Sequence, residues 1–197
     1  MSRRAGAALI ALGLLLLGAA GGLSARNRAE DTAAGASSAR ALAMVDAVIE
    51  SAAVREENSC AGGDPGMTRV QIDGMNYVGR LRIPTLELEL PILSQWDDDR
   101  LKIAPCRYSG TARGGDLVLL AHNYRKHFGP IRHLEPGDEL SFEDMEGTVF
   151  VYEVTGSIVV EPTALDAVTS GAHDLTLITC TYGGRTRLVV FCDRLWS

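Results

Sequence analysis

The sequence predicts a mainly β domain, a closed or nearly closed barrel of about eight short strands with brief helical pieces, carried behind an N-terminal apolar helix. Three observations predict it. The apolar residues beyond about Gln71 come in short runs, several with period two, punctuated by Pro, Gly and Asp. Helical character in that region is confined to brief pieces, a turn or two each in "SQWDDDRLKI" and "HFGPIRHL" and around "PTALDAV". The chain also opens on an uncharged apolar run of a different character altogether.

The chain has 197 residues, a formal net charge of -6 and 46% hydrophobic residues, which suits one globular domain with an appendage. No basic run is present, so nothing points to nucleic acid. Arg3 and Arg4 precede the uncharged stretch Ala5 to Leu23. As a helix rising about 1.5 Å per residue, that stretch spans roughly 28 Å, close to the hydrocarbon thickness of a bilayer. A cleavable signal peptide, with small residues around Gly21 to Ala25, is the rival reading. The run exceeds the roughly 7–15 residues of a signal core, so an uncleaved anchor with its N-terminus inside is preferred. Either reading exports the rest of the chain.

Residues 29–70 read as a linker that turns into a stalk helix, capped by Ser37 or Ser38, with Leu42, Val45, Ile49 and Ala52 on one face. The Gly-rich "CAGGDPG" breaks it. The division expected is therefore 1–28 for the tip and anchor, 29–70 for linker and stalk, and 71–197 for the domain proper. The last is expected to fold alone, because anchor and stalk contribute no strand. Within it, "YVGRLRIP" and "LELELPI" alternate as half-buried strands do, whereas "DLVLLAH" is continuously apolar and suits a buried central strand. "DELSF", "TVFVYEVTGSIVV", "LTLIT" and "RLVVF" complete the series.

Two of these strands end on reactive side chains: His122 follows the apolar run from Leu117, and Cys180 closes "LTLITC". A Tyr-Gly-Gly turn leads from Cys180 to Arg187 at the head of the last strand. A thiolate nucleophile needs a base or cation beside it and a proton donor for the leaving amine. A free cysteine has a pKa of about 8.5, so it needs that help at neutral pH. A guanidinium supplies donors to a developing oxyanion. Each residue alone also has a bland reading, as core filler, turn residue or surface charge. A zinc site from His122, His127, His133 and Cys180 fits no closed four-ligand spacing. The carboxylates of "WDDDR" suit a solvated turn better than calcium. A papain-like thiol hydrolase would want its Cys early, at a helix N-terminus.

"LVLLAHNYRKHFGPIRHLEPGDELSF" joined to "LTLITCTYGGRTRLVVF", after the "Y.G.L.IP.L....P" opening from Tyr77, resembles the sortases. These are the exported cysteine transpeptidases of bacteria. The resemblance covers about Tyr77 to Arg194 and implies the eight-stranded sortase β-barrel. It implies that Cys180 is the nucleophile, His122 the catalytic histidine and Arg187 the catalytic arginine, with Arg185 the runner-up. Asn123, Thr179, Thr181 and Tyr182 become candidates for substrate contact, and His127 and His133 belong to a segment covering a groove. No cofactor is implied. The implied partners are surface proteins or pilins with a C-terminal sorting signal, an amine acceptor on a peptidoglycan precursor or pilin lysine, and the membrane. "AHNY..HF" and "TCTY" lean towards class B, yet the segment between Val160 and Asp174 is too short for the helix that class usually carries.

Export makes pairing the default for cysteines. Cys106 and Cys192 are expected either to form a bridge or to serve as small core residues, and Cys60 lies in the Gly-rich turn. Outside the transpeptidase reading stand an exported thiol hydrolase of the same fold and a non-catalytic surface-anchored binding module whose cysteines are all structural.

Overall fold

A computed structural model describes residues 3–55, 67–165, 169, 171–181 and 183–195. Among them, helix α1 runs from Arg3 to Arg55. Strands follow as β1 (Val70–Ile72), β2 (Met75–Ile83), β3 (Leu88–Leu93), β4 (Cys106–Ser109), β5 (Leu117–Ala121), β6 (Glu139–Asp144), β7 (Val149–Val160), β8 (Leu175–Cys180) and β9 (Arg187–Arg194). The short helix α2 (Asp98–Leu101) lies between β3 and β4, and 3₁₀ turns occupy Pro84–Leu86, Gly129–His133 and Pro162–Ala164.

The strand order is β2-β3-β4-β5-β8-β9-β7-β6, and β6 pairs back onto β2, so eight strands close into a barrel. β1 is a flap hydrogen-bonded to β2 alone. Neighbours are antiparallel except β3–β4 and β5–β8, which are parallel. Closure depends on one glycine. Gly79 faces Asp144 in the β2–β6 ladder. Its φ is +153°, and a Cβ there would lie 2.1 Å from the Glu143 carbonyl oxygen. Any other residue would push the closing strands apart.

Alternation fills the interior. Leu140 and Phe142 from β6 and Phe150, Tyr152 and Val154 from β7 point inward, and their neighbours face out. β8 is buried on both faces: Leu175 and Leu177 join the interior, while Ile178 packs outside with Val118 and Val189 under Tyr108 and Leu165. This explains why the β5 segment is continuously apolar and why even Thr176 and Thr179 of β8 are buried. Each side chain so buried contributes roughly 1.5–3 kcal/mol. "SQWDDDRLKI" forms α2, and Asp97 caps it by accepting from the backbone N–H of Asp99 and Arg100. "HFGPIRHL" forms the 3₁₀ turn from Gly129. β4 and the flap β1 carried no alternation long enough to be read in the sequence.

The chain divides into two compact units, residues 1–33 and 34–197. The first is helical, and its apolar side chains Ile10, Leu14, Leu15 and Leu17 are exposed. Among the described residues this helix alone is long and apolar enough to cross a membrane. The second unit starts well before Gln71, and the reason is packing. From Ala34 onward, α1 buries Ala34, Ser38, Ala41, Val45 and Ile49 at helical spacing. Ala41, Val45 and Ile49 meet Tyr77, Leu93, Leu101, Ala104, Cys106 and Met145. Arg80 of β2 adds a charged clamp, bonding Asp46 of α1 at 2.7 Å and Glu143 of β6 at 2.7 Å. The expected linker before Ser37 is helical too, since its Ala-rich sequence contains no proline to stop a helix. Neither serine caps it: the Ser37 hydroxyl donates to the Ala34 carbonyl at 2.9 Å, one turn back, and Ser38 is buried mid-helix. The buried stripe is rotated from the expected one, leaving Leu42 and Ala52 partly exposed.

Cys106 and Cys192 are both buried free thiols. They lie in different apolar clusters, Cys106 under α1 and Cys192 inside the barrel. Of the two readings open in the sequence, the structure takes small core residues over a bridge. Burial pushes the Cys106 thiol up to about 12. Cys60 lies outside the described residues.

Candidate active site

Sheet register assembles the site. β5 and β8 run parallel, with Leu117 opposite Leu175 and Ala121 opposite Thr179. Parallel neighbours leave the sheet at the same rim, so the residue after β5, His122, comes level with Cys180. β8 and β9 are antiparallel, and Cys180 pairs directly with Arg187. Direct cross-strand partners hold their Cβ atoms about 4.5–5.5 Å apart and share a face. Three adjacent strands thus bring a thiol, an imidazole and a guanidinium to one barrel rim, although 58 residues of sequence separate the positions joined across β5 and β8. All three are half-buried.

Just beneath them, Ala121 and Thr179 are each 2% exposed. The Thr179 hydroxyl donates to the Ala121 carbonyl at 2.9 Å, which locks the two strand ends together. The chain after β5 folds over this point: the N–H groups of His127 and Gly129 donate to the Tyr124 carbonyl, and Phe128 N–H donates to the His122 carbonyl. Gly129 has no room for a side chain, because a Cβ would sit 2.6 Å from the carbonyl oxygens of Asn123 and Tyr124. The Tyr124 ring lies between two imidazoles, with centroids 5.0 Å from His122 and 5.5 Å from His127. Phe128 and Ile131, both fully buried, pin the segment to the core.

The β8–β9 turn is also internally tied. Thr181 N–H donates to the Thr186 carbonyl at 3.0 Å, and Gly184 N–H donates to the Thr181 carbonyl at 2.9 Å. The threonine hydroxyls of 181 and 186 bond at 2.7 Å. Arg187 Nη1 donates to the carbonyls of Gly184 at 3.0 Å and Thr186 at 3.2 Å, so the turn sets the plane of its guanidinium. Asn123 Nδ2 reaches the Thr181 carbonyl at 3.4 Å and ties the His122 segment to the Cys180 turn.

A cleft of about 190 Å³ opens beside Cys180, lined by Asn123, Gly129, Arg132, Val159, Thr179, Thr181 and Leu188. Three of the four residues expected to touch substrate, Asn123, Thr179 and Thr181, therefore line it. Tyr182 lies outside the described residues. His122 and Arg187 flank Cys180 without lining the cleft. Of the covering segment, His127 is wholly buried, and His133 is exposed away from the lining. Arg185 stands exposed in the turn rather than on β9. Sequence reading missed Arg132, Val159 and Leu188. The two apolar ones face each other across the β7–β9 ladder, and their sequence signal was indistinguishable from core strand residues. No group of three or more His, Cys, Asp or Glu residues suited to a metal occurs among the described residues.

A family model for the sortase domain matches residues 81–195. Sortase A of Bacillus anthracis is 31% identical over 120 residues, 58% of this chain, and the match spans 57% of that relative's length. The fold resembles sortase C1 of Streptococcus agalactiae with a TM-score of 0.56 at 24% identity, covering 64% of this chain and 72% of that one. It resembles sortase A of Corynebacterium diphtheriae with a TM-score of 0.56 at 22% identity, covering 89% and 96%. A Clostridium perfringens sortase C bound to the C-terminal cell wall sorting motif gives 0.56 at 23% identity, covering 80% and 91%. At such identities the structural likenesses speak for the barrel alone. All four are named sortase A or C, so the lean to class B gains nothing from them. The family model covers more than half of the chain, over strands that include every rim residue described above: this chain belongs to the sortase family.

Proposed function

We propose that the chain is a cysteine transpeptidase that cleaves a C-terminal sorting motif of surface proteins and joins the new end to an amine. One observation carries this reading: the register that sets Cys180 opposite Arg187 and brings His122 level with both. The Cys180 thiolate attacks the carbonyl carbon of a threonine-like residue in the motif. The resulting oxyanion accepts hydrogen bonds from the Arg187 guanidinium. As the C–N bond breaks, His122 gives its proton to the leaving amine, and a thioester remains on Cys180. An incoming amine, from a peptidoglycan precursor or a pilin lysine, then loses a proton to His122, attacks the thioester and expels the thiolate. Asn123, Thr179 and Thr181 line the cleft that would receive the motif, and Tyr182 joins them in this proposal.

The N-terminal helix would hold the enzyme in the membrane as a single span, with residues 34–197 outside the cell beside its exported substrates. A sorting motif is the bound ligand of the similar Clostridium perfringens sortase C, which supports the same substrate class here. Two variants test the reading. Cys180→Ala and His122→Ala should each abolish release of a surface protein's C-terminal segment in cells and in purified mixtures. Full activity in either variant sinks the assignment. Protease added to intact cells should digest residues 34–197; their complete protection would reverse the orientation.

A further inference from the structure

Cys180 and Arg187 reach the rim inside a hydrogen-bonded ladder, but His122 is the first residue beyond β5 and needs another support. A general acid works only when its proton is aimed at the leaving atom. A displacement of about 1 Å can cost on the order of a hundredfold in rate. The support is the loop that follows. Phe128 N–H donates to the His122 carbonyl at 3.2 Å, which closes the chain from 122 to 128 on itself. Inside that loop the Tyr124 carbonyl accepts from His127 N–H at 3.0 Å and from Gly129 N–H at 2.9 Å.

These bonds hold a chain of aromatic rings together. The Tyr124 ring centroid is 5.0 Å from that of His122, with 50° between the planes. It is 5.5 Å from that of His127, at 57°. Both pairs have the tilted arrangement and spacing at which aromatic rings attract one another. The two ends of the chain differ. His127 is 0% exposed and is followed by Phe128, also 0% exposed, so that end is fixed in the core. His122, at the other end, is half-buried at the rim.

We infer that Tyr124 is a positioning residue: its ring braces the His122 imidazole against the buried His127 ring, in the orientation that gives a proton to the leaving amine. This rests on the transpeptidase reading and deepens it, since Tyr124 acts through His122.

The test uses the purified full chain in detergent. A library of five-residue peptides, with threonine fixed at the cleaved position and the others randomised, first supplies the peptide cleaved best in a Cys180-dependent way. Its acyl part is then presented in two forms: as the amide, whose amine needs a proton to leave, and as an aryl thioester, whose thiolate leaves without one. With enzyme in excess, leaving-group release in the first turnover reports acylation of Cys180 alone. The readout is the amide rate divided by the thioester rate within each protein, so a loss of folded enzyme cancels. Tyr124→Leu, which keeps apolar bulk and removes the ring, should lower that ratio by about tenfold or more. Tyr124→Phe keeps the ring and should stay within about twofold of wild type. His122→Ala should lower the ratio at least as far as Tyr124→Leu. A wild-type ratio in Tyr124→Leu, or a loss in Tyr124→Phe as large as in Tyr124→Leu, overturns the role of Tyr124 and leaves the transpeptidase reading standing. If no peptide is cleaved in a Cys180-dependent way, or His122→Ala leaves the ratio unchanged, the transpeptidase reading fails and this inference falls with it.

Discussion

Arg187 is held by two turn carbonyls and lies opposite Cys180 in the β8–β9 ladder. A donor fixed in that way costs no reorganisation when charge develops on the substrate oxygen, so its loss should appear in kcat rather than in KM. Removal of one such donor typically lowers the rate by about 10²–10³. Arg187→Ala should therefore be crippling, and Arg187→Lys nearly as poor, because an ammonium lacks the planar fork. Arg185→Ala should be mild, since Arg185 stands exposed in the turn. The opposite outcome, with Arg185→Ala the damaging change and Arg187→Ala mild, would move the oxyanion role from Arg187 to Arg185. These residue types were legible in the sequence because Cys180, His122 and Arg187 all sit where apolar runs stop or start. Arg132 was not, because nothing in "GPIRHL" distinguishes a cleft arginine from a solvated one. Only the fold, which turns that segment back over the end of β8, brings it beside Cys180.

At the scale of elements, the second half of α1 belongs to the barrel's structure. Val45 and Ile49 are 0% and 2% exposed, and Arg80 joins Asp46 to Glu143 beneath them. Ile49→Ala should destabilise residues 34–197 by about 2–4 kcal/mol, as truncations of buried isoleucine do. A protein starting at Gln71 would bare Tyr77, Leu93 and Leu101, so it should melt well below one starting at Ala34 and aggregate more readily. Equal melting temperatures for the two would mean that the helix contributes nothing. The sequence did contain this contact, as an Ala-rich stripe around Val45 and Ile49. Small residues bury little area each, and so a stripe of them reads equally well as a solvated stalk. The strands of the barrel were easier: β2, β3, β6 and β7 alternate, β5 is apolar throughout, and β8 and β9 each hold a short apolar-rich run. β4 has four residues and makes one ladder pair with β3, Leu93 with Cys106, too short a run for periodicity to register.

At the scale of the whole molecule, two properties follow from the sequence with little ambiguity and a third depends on topology. The apolar N-terminal run and the barrel's strand count are composition and period. The site depends on chain order. β5 and β8 are separated in sequence by β6 and β7 but lie side by side and parallel in the barrel, and this crossover is what turns two distant strand ends into one rim. In the proposed mechanism this rim forms a thioester on Cys180. The most direct measurement is intact-mass analysis and peptide mapping of the enzyme, quenched in acid during turnover of a sorting-motif substrate with no amine acceptor. The predicted result is an acyl adduct on Cys180, discharged by hydroxylamine and missing in His122→Ala. An adduct on Cys106 or Cys192, or cleavage that proceeds with Cys180 never acylated, would contradict it.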